Sequence, residues 1–259
     1  MAAVVLKYSV ERFNIKRMNV TRTPAASVLM QSIGSVRILT LNRPEKKNAA
    51  DLEMQERLLA CLDVVAADSD ARVLILTGAD GAFSAGGDRE LLRQLAAGRL
   101  EQAQALAKVH AGTIRRMLSL PIPAIAAVSG PAVGYAAGLV AMCDIVVMGE
   151  SGFLSDPHVK FGVAANTATQ LIWPRLISQA LAKEILMSGR RVNASEAVHI
   201  GLANRLCATG KELETAMELA ETFTALPPQG VANTKRAFNQ PLLRDVEEVL
   251  GTGATGVRR

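Results

Sequence analysis

"PAIAAVSGPAVGYAAGLVAMCDIVVMG" (residues 123–149) decides the fold. It opens on an uncharged run, residues 123–130, and closes on a second apolar run, residues 143–149, charged only at Asp144, each of the length of a strand buried on both faces. Between them stand a Gly-Pro turn and a series of small residues that reads as a helix. Strand, helix and strand in that order imply parallel pairing through a crossover, and hence an α/β architecture.

The same design precedes it. "ARVLILTG" (71–78) is a continuous apolar run ended by Thr-Gly, and "ADGAFSAGGD" (79–88) carries the chain through small residues to a helix opened by Asp88. Further upstream, "SVLMQSIGSVRILTLNRP" (27–44) reads as strand, Ile-Gly-Ser turn and strand, stopped by Pro44. Residues 49–68 are helical, with Leu52, Leu59 and Leu62 returning at helical spacing and Asp51 and Glu53 near the start, where the helix dipole favours acids. Residues 88–120 form one or two helices with a break at Gly98. Segments 178–189, 193–203, 210–226 and 230–250 are helical, the second capped by Asn193 or Ser195, so the final quarter is expected to be all helix.

Composition narrows the function classes. In a chain of 259 residues, 49% hydrophobic and 20% charged, a large buried core is expected and disorder is not. Residues 1–24 carry Lys7, Arg12, Lys16, Arg17 and Arg22 against Glu11 alone, so most of the net +5 lies there and the body is nearly neutral. With aromatics at 3%, neither charge nor stacking surface supports nucleic-acid binding. Cys61, Cys143 and Cys207 are odd in number and far apart, which suits reduced thiols, and the three histidines lack metal-ligand spacing. No apolar run reaches the roughly 18 residues of a membrane span. Residues 1–25 are expected to be a leader or mobile arm, 26–200 the core, and 201–259 a helical region with a short flexible tail. Cytoplasmic location is expected, with a mitochondrial one as the alternative if the basic arm acts as a presequence.

Glycines and small residues at a strand-to-helix loop let a ligand approach the main chain, and amides at a helix start point outward as donors. Two such loops converging on one point would make an oxyanion hole. "GTGATG" (251–256) matches a dinucleotide fingerprint only in spacing, because no helix follows it. A nucleophile elbow and a phosphate loop are absent from the sequence.

Over about residues 27–245 the chain resembles the crotonase (enoyl-CoA hydratase/isomerase) superfamily. The resemblance rests on "LNRPEKKNA" (41–49), "VLILTGADGAFSAGGD" (73–88), "PIPAIAAVSGPAVGYAAGLVAMCDIVV" (121–147) and the segment 171–206. It implies a ββα spiral core with a helical C-terminal region, a homotrimer or dimer of trimers, and an acyl-CoA thioester as ligand. Coenzyme A would enter as part of the substrate, with no separate cofactor and no metal. The oxyanion-hole amides would be those of Gly87 and Tyr135. Gly87, Asp88, Arg89 and Glu90 would border the CoA arm, and Lys46 or Lys47 could meet its phosphates.

The departures from the family pattern concern the chemistry. Hydratases of the family use two glutamates; the matching positions here are Gly138 and His158. His158 is the candidate acid or base, with Asp156 close enough in sequence to influence it. Asn166 and Thr167 stand where related dehalogenases and hydrolases place acids, and an amide cannot be a carboxylate nucleophile. His110 is expected on a helix surface. The resemblance thus implies an acyl-CoA-processing, hydratase- or isomerase-like enzyme with an atypical site; the alternative is a non-catalytic acyl-CoA-binding or assembly subunit.

Overall fold

A computed structural model describes residues 26–251. The expected leader over residues 1–25 and the tail beyond residue 251 lie outside the described residues. Strands β1 (Val28–Ile33) and β2 (Val36–Leu41) form the expected hairpin. Helix α1 (Leu52–Ala67) follows, with the Asp51 side chain accepting from the Met54 N–H at its N-terminus. Then come β3 (Val73–Gly78), α2 (Arg89–Ala96) and α3 (Leu100–Ser119). The break between α2 and α3 falls at Gly98, whose φ of 74° favours glycine.

The opening stretch contains more than strand, turn and helix. β4 (Ala124–Val128) is followed by a second short strand, β5 (Pro131–Val133), before α4 (Tyr135–Ala141) and β6 (Ile145–Gly149). The Gly-Pro pair marks a strand start as well as a turn, since the first residue of a strand tolerates proline. After β7 (Phe153–Ser155) come a short 3-10 turn (His158–Phe161), α5 (Thr167–Leu176), α6 (Gln179–Ser188), β8 (Arg191–Asn193) and α7 (Ala194–Ile200). Asn193, not Ser195, caps α7. β9 (Arg205–Cys207), α8 (Glu212–Thr224) and α9 (Pro228–Gly251) complete the described chain. The final quarter is therefore not all helix: β9 pairs with β6 at the edge of the main sheet.

The main sheet runs β1-β2-β3-β4-β6-β9, parallel everywhere except the β1–β2 hairpin. Strand alternation divides the core between its two faces. Leu74, Leu76, Ala124 and Ala126 pack on Met54, Leu58, Ile114 and Met117 of α1 and α3. Val73, Ile75, Ile125 and Val147 turn the other way, onto Ala216, Met217 and Ala220 of α8. α8 thus closes the second face of the sheet, while Leu242 and Val246 of α9 join the core on the first. β5, β7 and β8 make a separate three-stranded sheet, with β5 and β7 parallel.

Candidate active site

The small sheet brings the candidate residues together. In the parallel register Val133 stands opposite Ser155, and the Gly134 N–H continues the pairing by donating to the Ser155 carbonyl at 2.8 Å. Beyond the pair Val133–Ser155 the two chains continue as Gly134 and then Tyr135, first residue of α4, and as Asp156 and then Pro157. β5 also meets the first glycine-rich loop: Ser84 and Ala132 form a parallel bridge, with Ser84 N–H to Pro131 O at 2.8 Å and Val133 N–H to Ser84 O at 3.1 Å. Gly87 and Tyr135 each lie three residues beyond that bridge, on neighbouring chains running the same way. Neither amide N–H has a hydrogen-bond partner among the described residues. Gly134, with φ 55° and ψ −111°, supplies the bend that starts α4.

A paired acid and histidine stand beside this bend. The Asp156 side chain is fully buried; its Oδ1 is bonded to His158 Nδ1, and its Oδ2 accepts from the Asn166 N–H at 2.8 Å and from Thr169 Oγ1 at 2.5 Å. Burial pushes the Asp156 carboxyl up, but its bonds to His158, Thr169 and the Asn166 N–H outweigh that and leave it below the ordinary carboxylate range. An ionised Asp156 takes the proton-bearing Nδ1 of His158, so Nε2 is the nitrogen left for chemistry. The ring packs on Gly134, where a Cβ would come within 3.3 Å of His158 Cε1.

Asn166 fills the space over Gly138. A Cβ on Gly138 would lie 2.6 Å from Asn166 Oδ1 and 2.9 Å from its Cγ. Asn166 caps α5 by accepting from the Ala168 N–H at 2.9 Å, and its Nδ2 lies 3.1 Å from His110 Nε2. His110 is therefore not a surface residue of α3: it faces inward, with its ring edge-to-face on Tyr135 at 5.5 Å. The Tyr135 hydroxyl is enclosed and makes no well-formed hydrogen bond, and burial raises its pKa against the opposing effect of Thr113.

Burial, and then the nearby His158, push the His110 pKa down to about 4. An unfolded histidine protonates near 6.5, so between pH 6.5 and 4 the unfolded chain binds a proton that the folded chain refuses. This contribution to stability is complete above pH 6.5 and is lost as the pH falls towards 4. The expected loss is about 1–3 kcal/mol. Denaturant titrations at pH 7.5 and 4.5 should show that extra loss in the native protein and not in His110→Phe; equal losses would contradict the assignment.

The residues expected along the CoA arm are more dispersed. Asp88 is buried, accepts from the Glu90 N–H at the start of α2, and pairs with Lys46 at 2.9 Å and Arg43 at 3.2 Å. Burial raises its pKa, but Lys46, the Glu90 N–H and Arg43 together hold it low. Lys46 is thus engaged by the protein, whereas Lys47 is exposed. Arg89 and Glu90 are exposed in the first turn of α2, and Glu90 pairs with Arg93 at 2.6 Å. A wide apolar cavity of about 840 Å³ lies elsewhere, between α4, β6, α5, α8 and α9, and shares no residue with the cluster around His158.

Comparison with known proteins settles the family. The enoyl-CoA hydratase/isomerase family model matches residues 31–254. The chain belongs to that family. It is 38% identical over 202 residues to a putative enoyl-CoA hydratase of Thermus thermophilus, covering 78% of this chain and 79% of that one. A putative enoyl-CoA hydratase/isomerase of Bacillus subtilis, YngF, is 33% identical over 210 residues, 81% of this chain and 80% of its own. Among solved structures, an enoyl-CoA hydratase/isomerase from Mycobacterium paratuberculosis superposes with a TM-score of 0.83 at 36% identity, covering 88% of this chain and 90% of that one. The crotonase-like α/β fold of this chain is that of these enzymes. Among the described residues no helix is long and apolar enough to cross a membrane, and no group of three or more His, Cys, Asp or Glu could hold a metal ion.

Proposed function

We propose that this chain is an acyl-CoA enzyme of the isomerase-like kind, moving a single proton next to a thioester carbonyl with His158 as its acid and base. The observation that carries the reading is the Asp156–His158 pair packed against Gly134, at the start of the helix whose first amide is free. The thioester oxygen would accept from the Gly87 and Tyr135 N–H groups, which would hold the negative charge of an enolate. His158 Nε2 would take the proton from the α-carbon of a 3-enoyl thioester. The electrons of the broken C–H bond would become the new α,β double bond, the old β,γ pair would shift to the γ-carbon, and His158 would return the proton there. Asp156 would stabilise the imidazolium in between.

The two positions that carry glutamates in hydratases of the family are occupied by Gly138 and His158, so the site has one proton-transfer group where hydration uses two. Lys47, exposed where Lys46 is not free, would meet the CoA phosphates, and Gly87, Asp88, Arg89 and Glu90 would border the arm. The family resemblance also supports a homotrimer or dimer of trimers; light scattering is expected to give three or six times 27.5 kDa, and a monomer mass would contradict it.

Incubation with 3-butenoyl-CoA and with crotonyl-CoA tests the reading. Conversion of the first to the conjugated thioester, with little hydration of the second, is the expected result. Rapid hydration of crotonyl-CoA without isomerisation would sink the single-base account. Tight binding of thioesters with no turnover over a broad panel would favour a non-catalytic acyl-CoA-binding subunit instead.

A further inference from the structure

His110 takes no part in the proton transfer assigned to His158, yet its protonation state is fixed by its neighbours. Asn166 Oδ1 is committed to the Ala168 N–H at 2.9 Å, which fixes the orientation of the amide. Its Nδ2 therefore faces His110 Nε2 at 3.1 Å and must donate to it. A ring nitrogen that accepts carries no proton, so the proton of His110 resides on Nδ1. Tyr135 holds the ring from another side, edge to face at an interplanar angle of 74°. Gly138 makes the arrangement possible, because any side chain there would displace the Asn166 amide. Nδ1 has no hydrogen-bond partner among the described residues, and His110 retains partial exposure.

We propose that His110 is a specificity-determining residue of the acyl site: fixed by Asn166 as the neutral Nδ1–H tautomer, it donates to an uncharged oxygen carried on the acyl group beyond the thioester carbonyl. The proposal rests on the acyl-CoA reading above. A hydrocarbon acyl group packed against this N–H would strip it of water and return nothing, whereas a hydroxyl or keto oxygen would satisfy it. The groups that face His110 are His158, Tyr135 and the Asn166 amide, with the Asp156 carboxylate directed to His158, Asn166 and Thr169. Among them only His158 can become a cation, so an uncharged oxygen suits the site better than a carboxylate.

Two measurements test this. Nitrogen-15 NMR of the imidazoles should show His110 as the neutral Nδ1–H tautomer between pH 5.5 and 8; the Nε2–H tautomer, or titration near the ordinary histidine value, would overturn it. Calorimetry should show 3-hydroxybutyryl-CoA binding roughly fivefold more tightly than butyryl-CoA, a preference lost in His110→Phe and partly kept in His110→Gln. Equal affinities, or a preference that survives in His110→Phe, overturn this inference while leaving the acyl-CoA reading intact. Binding of neither thioester removes both.

Discussion

Replacing His158 with alanine is expected to lower kcat for acyl-CoA turnover by about 10²–10⁴-fold, the usual contribution of a positioned acid or base. KM should change far less, because the proposed ligand contacts to the thioester oxygen are main-chain amides. The side chain is 31% exposed, but its loss takes one partner from the buried Asp156 carboxylate, so stability should fall by about 1–3 kcal/mol. Asp156→Asn should approach the same loss by a different route. An amide there would offer an N–H to His158 Nδ1, turn the imidazole to the wrong tautomer, and leave the ring in place. Turnover of His158→Ala within threefold of the native rate, with folding intact, would remove this residue from the mechanism.

Gly86→Ala is expected to damage both fold and activity. Its φ is 97°, and a Cβ would stand 2.6 Å from the Val133 carbonyl oxygen, a backbone atom of the strand that leads to Tyr135. The unfavourable φ and the overpacking together should cost roughly 2–5 kcal/mol. Relief of the clash requires the chain at Gly86–Gly87 to move away from β5, which separates the two candidate amides. Losing one such donor lowers kcat by about 10²–10³-fold. Gly81→Ala is the matched control: φ is also positive, at 71°, but nothing lies within 4 Å of the added Cβ. It should lose the backbone cost alone and keep its activity. Equal melting temperatures and equal rates for the two variants would show that the β5 contact does not set the site.

The central strands β3, β4 and β6 of the main sheet were legible because they are apolar and uninterrupted. Val73–Gly78 and Ala124–Val128 are buried on both faces, and burial of that kind leaves an unbroken hydrophobic run in the sequence. β5, β7, β8 and β9 are three residues each, too short for alternation to register, and β5 begins on a Gly-Pro pair that reads as a turn. That loss matters for the site, since β5 and β7 are the strands that bring the start of α4 at Gly134 to the segment carrying Asp156 and His158. Gly87, Tyr135 and His158 were marked through family motifs. His110 was not, because an inward-facing histidine on an amphipathic helix has no local signature. Its partnership with Asn166 joins two distant segments over a glycine whose meaning is spatial: Gly138 is the space into which Asn166 fits.

The central claim, that His158 exchanges a proton with the α-carbon of a thioester held at Gly87 and Tyr135, is tested most directly by hydrogen exchange. Butyryl-CoA in deuterium oxide, followed by proton NMR of its α-methylene signal, reports enolisation whatever the final reaction is. The native protein is expected to wash out that signal, and His158→Ala to leave it intact. No exchange with the native protein, or undiminished exchange with the variant, would contradict the account.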